Sequence, residues 1–238
     1  MYFLHSLLGL ILIVSMMINS LSGQGIYHKS HNIENQDFVL FGEDENFCAI
    51  TLADGVSSCK YAREGAEIAC EILCRLFLTK GDFFLSSDVL KYSQNISKII
   101  LSNILRELKK KPDIKEYSST IAGVLYDKNN DKMLCFNIGD GMIAGEKGGM
   151  HQVLIRPYQN ENGCCVTTTL GAENVAEIKI LDAEKIKSAI IFSDGAWKKI
   201  FSDKKFAFLN RFEELDNYLN NANCIDDYSY ISLSKGGI

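Results

Sequence analysis

Three apolar stretches of this chain each end in the dipeptide Asp-Gly: Ala49–Gly55, Phe136–Gly141 and Ala189–Gly195. A fourth acidic pair, Asp226-Asp227, directly precedes another apolar stretch. One Asp after a strand is an ordinary turn residue. Four such sites predict strand ends gathered at one edge of a sheet, where crowded carboxylates are stable only if protons or cations neutralise them. Carboxylate oxygens favour hard ions such as Mg²⁺ or Mn²⁺.

Helix-like and strand-like patterns occur in blocks along the chain. Helical spacing predicts helices over Ala62–Leu78, Ser87–Lys111, a short segment near Ala196, and Asp203–Leu219. Apolar runs predict a hairpin of Phe38–Phe41 and Phe47–Ala53, an antiparallel meander of Thr120–Tyr126, Lys132–Ile138, Met142–Ala144 and Gln152–Ile155, and later strands at Ser188–Phe192 and Tyr228–Leu233. Separate runs of strands and helices indicate an α+β fold with helices outside an antiparallel sheet or pair of sheets.

Composition and charge limit the class of protein. A chain of 238 residues with 47% hydrophobic content fits one globular domain. The net charge of -5 argues against nucleic-acid binding, which relies on clustered Lys and Arg, so the expected partners are proteins. Eight cysteines without repeated spacing favour a reducing compartment. We therefore expect a monomeric cytoplasmic protein.

The N-terminal segment, residues 1–22, allows more than one interpretation. Residues 2–21 are strongly apolar, but the uninterrupted core Leu7–Met17 is shorter than the roughly 20 apolar residues of a spanning helix. A secretory signal usually has a charged start, which this segment lacks. The segment is therefore a first strand of the domain, a membrane anchor that leaves the domain in the cytoplasm, or a cleaved signal. Residues 23–238 form the predicted catalytic domain.

Five short motifs follow one another in an order that resembles the protein phosphatase 2C family. They are Asn35-Gln36-Asp37, Ala53–Val56, Ser118–Ala122 with Asn137–Gly141, Phe192–Trp197, and Asp226–Ser229. The resemblance runs from about Ser22 to the C-terminus, and Gly25–His28 and Glu64–Ala66 are similar to its compact bacterial branch. It implies a four-layer α-β-β-α sandwich, with two antiparallel sheets flanked by helical pairs and a two-metal centre at one end of the sheets.

The resemblance also implies roles for individual residues. Asp54 would bridge two Mn²⁺ or Mg²⁺ ions, with the Gly55 carbonyl on the first ion. Asp194 and Asp226 would hold the second ion, Asp37 would orient the attacking water, and Asp140 would share a weak third ion with Asp194. The implied activity is a metal-dependent serine/threonine protein phosphatase, which hydrolyses phosphoserine and phosphothreonine by direct attack of activated water.

Two positions depart from the family pattern. Val56 stands where many members carry His or Met, so that position offers no proton donor. Asn32 occupies the spacing of the family's phosphate-binding Arg, which leaves His28, Lys29 or His31 as candidates for that role.

The alternative function is a phosphoprotein-binding regulatory module of the same fold without turnover. Non-catalytic relatives typically lose a metal carboxylate, whereas Asp37, Asp54, Asp194 and Asp226 are all present here. The sequence therefore favours the enzyme.

Overall fold

The structure is a computed structural model that describes residues 16–86, 93–160, 163–164, 166–169, 172–206, 209 and 211–236. The strands within these ranges are β1 (Met16–Gly23), β2 (Asp37–Glu43), β3 (Phe47–Asp54), β4 (Ile121–Asp127), β5 (Lys132–Ile138), β6 (Met142–Lys147), β7 (Met150–Ile155), β8 (Gln159–Asn160), β9 (Gly163–Cys164), β10 (Glu177–Asp182), β11 (Ser188–Phe192) and β12 (Tyr228–Lys235). The α-helices are α1 (Ile26–His31), α2 (Ala62–Leu85), α3 (Ser93–Leu108), α4 (Asp194–Ser202) and α5 (Phe212–Asn221).

Ten of these strands form two five-stranded sheets. Sheet I has the strand order β1-β12-β11-β6-β7, and sheet II has the order β10-β5-β4-β3-β2. Every strand pair in both sheets is antiparallel. The remaining strands, β8 and β9, pair with each other.

The two sheets pack face to face because their central strands are apolar on both sides. In β3, Ile50 and Leu52 belong to the cluster between the sheets, while Ala49 and Ala53 belong to the cluster beneath the helices of sheet II. Side chains alternate between faces along a strand, so a strand buried on both faces reads as a continuous apolar run. The opposing residues of sheet I in the central cluster include Ile143, Ala189, Ile191 and Ile231.

Helices cover the outer face of each sheet. The apolar stripe of α2, with Ala66, Ala69, Leu73 and Phe77, packs with α3 against sheet II. On sheet I, side chains of α4 and α5 share a cluster with β11 and β12, including Ala196, Ile200, Leu215, Leu219, Phe192 and Tyr230. The predicted four-layer α-β-β-α sandwich is therefore confirmed.

Some element predictions need correction. The predicted meander is divided between the sheets, because β4 and β5 lie in sheet II whereas β6 and β7 lie in sheet I. The helix predicted from Asp203 begins only at Phe212. Strand β10 was missed, although its Ile178 and Ile180 pack on the sheet II core with the alternation of a strand. For the helix predicted over Ser87–Lys111, the structure gives α3, and residues 87–92 lie outside the described residues.

The apolar N-terminal segment is described only from Met16 onward. From there to Gly23 it forms β1, which pairs with β12 along its whole length at one edge of sheet I. In the described residues, no helix is long and apolar enough to cross a membrane. The domain boundary near residue 22, and the choice between strand and anchor for the residues before Met16, stay predictions.

Candidate metal centre

The predicted metal ligands come from both sheets, at corresponding ends of their strands. Asp37 opens β2 and lies opposite Asp54, which ends β3, in the register of sheet II. Asp194 opens α4 two residues after β11, and Asp226 lies two residues before β12. Asp140 lies in the turn between β5 and β6, where the chain passes from one sheet to the other. The fold therefore brings together carboxylates that are far apart in the sequence.

Asp37 is completely buried, and its carboxyl group lacks ordinary partners. The pKa of Asp37 is raised to about 8, mainly by burial and also by the charges of Asp227 and Asp194, despite a lowering by the nearby hydroxyls of Ser229 and Ser193. Those hydroxyls are bonded elsewhere, because Ser193 Oγ donates to Ser229 O and Ser229 Oγ donates to Ser22 Oγ. Both Asp37 oxygens therefore have no hydrogen-bond partner among the described residues.

The other carboxylates repel one another. Although part of Asp54 is exposed, burial of its carboxyl group raises its pKa well above the ordinary value, with further contributions from Asp37, Asp194, Asp226 and Asp140. Burial is also the main cause of the raised pKa of Asp226, followed by the charge of Asp194. Such mutual repulsion shows that these groups share one electrostatic site.

These residues fit a divalent cation. Asp37 Oδ1, Asp37 Oδ2 and Asp194 Oδ1 are buried oxygens without a partner in the described structure, and such atoms need a specific explanation such as an ion. Among the described residues, no group of three or more His, Cys, Asp or Glu side chains is arranged to hold one metal ion. Mg²⁺ usually keeps several waters and is bound through one or two carboxylates, so this donor set is sufficient.

A pH dependence of stability follows from the raised pKa of Asp37. Its folded pKa of about 8 exceeds the ordinary 3.8, so the stability that its protonation contributes is present below about pH 4 and is lost as the pH rises through 8. Without metal, we expect the melting temperature to fall between pH 5 and pH 8. At pH 8, Asp37→Asn should raise it by at least about 2 °C. Thermal melts in chelator test this; identical pH profiles for parent and mutant would contradict it.

The Ser118–Ala122 motif fixes the Asp54 backbone. Asp54 N donates to Thr120 Oγ1 at 3.0 Å, and Thr120 N donates to Asp54 O at 2.8 Å. Gly55 N donates to Gln36 O at 3.2 Å, which connects the ends of β3 and β2. The backbone at Asp54-Gly55 is thereby held from two neighbouring segments.

The turn that carries Asp140 is also held by side chains. Asn137 Nδ2 donates to Gly139 O at 3.0 Å and to Gly141 O at 3.2 Å. Trp197 Nε1 donates to Asp140 O at 2.8 Å from the first turn of α4. Trp197 therefore joins the Asp140 turn to the helix that begins with Asp194.

Asp227 is a structural anchor that our sequence analysis did not assign. Its buried carboxylate accepts hydrogen bonds from Gly25 N at 2.8 Å, from Gln36 N at 2.6 Å and from His28 Nδ1 at 2.7 Å. It thus ties α1 and the approach to β2 to the start of β12. The available signal was the doubled Asp226-Asp227, in which the first residue faces the site and the second is buried.

Two glycines allow the backbone at Asp226-Asp227 to pack closely. A Cβ atom on Gly25 would lie 2.3 Å from the carbonyl carbon of Asp226, and one on Gly195 would lie 2.1 Å from the carbonyl oxygen of Asp227. Both distances are far below van der Waals contact. Glycine is required at both positions because other backbone atoms approach there.

The three candidate phosphate ligands lie in or at the end of α1, in different environments. His28 is buried against Asp227, whereas Lys29 and His31 are exposed. His31 Nδ1 donates to Tyr27 O at 2.8 Å. Binding of phosphate by one of these residues stays a prediction. Asn32, at the position of the family's Arg, is exposed and has a left-handed backbone with φ 54°.

Two basic residues near the centre were also missed. Arg63 of α2 donates from Nη1 to the carbonyl oxygens of Asn35 and Asp37, and its guanidinium lies 4.8 Å from the centroid of the Phe38 ring. Lys198 of α4 donates to Asp194 Oδ2. Neither residue belongs to a motif that the sequence analysis used. The contacts of Arg63 join distant parts of the chain, whereas Lys198 is one helical turn after Asp194.

The architecture and the site together define the class of protein: a four-layer sandwich of two antiparallel sheets, with a carboxylate-rich centre suited to divalent cations at one end. The sequence model described as Protein phosphatase 2C matches residues 24–227. The chain belongs to the protein phosphatase 2C family.

Solved structures of bacterial phosphatases share this fold. A bacterial serine phosphatase aligns with a TM-score of 0.71 and 12% identity over 94% of this chain and 99% of that one. The serine/threonine phosphatase Stp1 from Staphylococcus aureus gives 0.70 and 11% identity over 94% and 96%. The catalytic domain of the serine/threonine protein phosphatase PstP, in complex with two manganese ions, gives 0.65 and 12% identity over 92% and 97%. A comparison with curated protein sequences gives no match.

Proposed function

We propose that this protein is a serine/threonine protein phosphatase that depends on Mn²⁺ or Mg²⁺ and acts on phosphorylated proteins. The observation that carries the proposal is the set of buried, unpartnered carboxylate oxygens of Asp37 and Asp194, within a group of aspartates that raise one another's pKa. Family membership and the manganese ions bound to PstP support the same chemistry.

The proposed site residues have two kinds of role: most would bind metal ions, and Asp37 would position the attacking water. Asp54, the Gly55 carbonyl, Asp194 and Asp226 would hold two ions, and Asp140 would contribute to a weaker third site. When bound, two such ions supply an activated water and neutralise phosphoryl oxygens. Asp37 would orient the attacking water, and its raised pKa makes the carboxyl group able to hold a proton near neutral pH.

The test is hydrolysis of p-nitrophenyl phosphate and of a phosphothreonine peptide by the purified protein. After metal removal, verified by elemental analysis, turnover should fall at least about a hundredfold and recover with Mn²⁺. Asp194→Asn should abolish the recovery. Asp203→Asn, at the other end of α4, should preserve it, because Asp203 pairs with Lys199 and Tyr218 instead.

Two results would contradict the proposal. Full turnover in verified metal-free protein would exclude the metal-dependent mechanism. Tight binding of the phosphopeptide by Mn²⁺-saturated protein without any turnover would instead indicate the alternative, a phosphoprotein-binding regulatory module of the same fold.

A further inference from the structure

A surface groove of about 430 Å³ opens directly beside the predicted metal ligands. Asp194 and Asp226 form part of its wall, and Lys198, Asn223 and Ile225 are also among its lining residues. The Asp194 side chain is 11% exposed, whereas the Lys198 side chain is 47% exposed. The groove therefore places a solvent-accessible lysine next to the site where a phosphoryl group would bind.

The ammonium group of Lys198 is in direct contact with a proposed metal ligand. With an ordinary pKa of about 10.4, a lysine side chain is charged at neutral pH. The ammonium group donates to Asp194 Oδ2, a proposed metal ligand, as an i,i+4 pair on the first turns of α4.

Cations hold the oxygens of a dianionic phosphoryl group by charge-assisted hydrogen bonds, and Asn32, at the spacing of the family's phosphate-binding Arg, is neutral. Among the nearby alternatives, His28 is already bound to Asp227, and His31 donates to Tyr27 O. Arg63 donates to the backbone carbonyls of Asn35 and Asp37. Lys198 differs from His28, His31 and Arg63 because its partner, the Asp194 carboxylate, is a proposed ligand of the metal ion.

We propose that Lys198 is the phosphate-binding cation of this protein. In the metal-free protein its ammonium group neutralises Asp194. When a divalent ion binds Asp194, repulsion between like charges releases the ammonium group into the groove. There its three N–H donors bind the oxygens of a dianionic phosphate monoester. This inference rests on the proposed function.

Release of the ammonium group should be easy on physical grounds. The Asp194 side chain is 11% exposed, but the Lys198 side chain is 47% exposed, so water can solvate the ammonium group as soon as the pair opens. A hydrogen bond between an ammonium group and a phosphate is stronger than one between neutral groups. Once a metal ion neutralises Asp194, binding of the Lys198 ammonium group to phosphate is therefore favoured over its binding to Asp194.

The test compares Lys198→Met, Lys198→Arg and Lys199→Met in the full chain. Lys199 is the matched control, because it is the next residue of the same helix and pairs with Asp203 at 3.1 Å. Two affinities are measured by calorimetry: that of inorganic phosphate for Mn²⁺-saturated protein, and that of Mn²⁺ for phosphate-free protein. kcat/KM for a phosphothreonine peptide is the third measurement, and thermal melts confirm folding.

Lys198→Met should weaken phosphate binding and lower kcat/KM, each by about tenfold to a hundredfold, because one charge-assisted hydrogen bond is lost. Mn²⁺ affinity should stay the same or increase, because a competing cation has been removed. Lys198→Arg should keep most of the phosphate affinity. Lys199→Met should change phosphate affinity by less than about threefold.

A loss of phosphate affinity without a loss of Mn²⁺ affinity distinguishes this role from a structural one. Unchanged phosphate affinity in Lys198→Met would overturn the inference, as would a parallel loss of Mn²⁺ affinity or an equal loss in Lys199→Met. The proposed function can fail separately: a parent protein without turnover that binds phosphate through Lys198 would refute the phosphatase and uphold the binding site.

Discussion

Replacing Asp54 with asparagine should nearly abolish turnover without lowering the stability of the metal-free protein. Asp54 lies opposite Asp37 in sheet II, and its pKa is raised by burial and by four neighbouring aspartates. The amide keeps the shape of the side chain but removes the charge that would bridge two ions. We expect turnover to fall at least about a thousandfold, because in the proposed centre both ions and the activated water would depend on Asp54.

The thermal stability of the metal-free protein, unlike turnover, should not fall in this mutant. In the metal-free protein the amide relieves repulsion within the cluster, so the Asp54→Asn mutant should melt no lower than the parent. A ligand at 100 times its Kd stabilises the folded state by about 2.7 kcal/mol, which corresponds to about 5–10 °C in a chain of this size. The parent should show this rise with Mn²⁺, and the mutant should lose most of it.

Melts in chelator and in Mn²⁺, together with peptide turnover, test both expectations. Asp140→Asn is the comparison, because its proposed ion is the weakly held one, and it should reduce Mn²⁺-dependent stabilisation much less. Near-parental turnover and Mn²⁺ stabilisation in Asp54→Asn would show that the assignment of the bridging ligand is wrong.

The neighbouring residues Asp226 and Asp227 should give opposite results when each is replaced by alanine. Asp227→Ala leaves the buried donors Gly25 N, Gln36 N and His28 Nδ1 without their acceptor. A buried donor left without its acceptor costs about 1–3 kcal/mol, so a conservative total for the three donors is about 3–5 kcal/mol. At about 2–4 °C per kcal/mol, the metal-free melting temperature should fall by roughly 6–20 °C.

Asp226→Ala removes a half-buried carboxylate that its neighbours repel, so the metal-free protein should melt at or above the parental temperature. It should instead lose Mn²⁺ affinity, which calorimetry measures directly. Chemical denaturation in chelator gives the matching free energies of unfolding. If Asp227→Ala were as stable as the parent, the hydrogen bonds that join α1 to β12 would have no structural importance.

Local patterns were sufficient to predict most of the central strands and the aspartates at their ends. Runs such as Ala49–Ala53 and Ala189–Phe192 are apolar on both faces, and Asp-Gly after each run predicts a strand that ends in a turn. Both signals depend only on residues close in sequence. The order of the motifs resembles that of the phosphatase 2C family, and this resemblance implied the sandwich that the structure confirms. The same motifs contain the aspartates that raise one another's pKa in the structure.

Other features depended on contacts between distant parts of the chain. The meander pattern did not show that β5 and β6 lie in different sheets, because that division depends on which faces pack together. The bond from His28 to Asp227 joins residues 199 positions apart, and no local pattern distinguishes a buried histidine from a surface one. Likewise, Lys198 reads as an ordinary helical lysine in the sequence. Helical spacing places it one turn after Asp194, but only the tertiary structure brings both residues beside Asp226 and the groove, because the end of sheet I brings α4 and the start of β12 together.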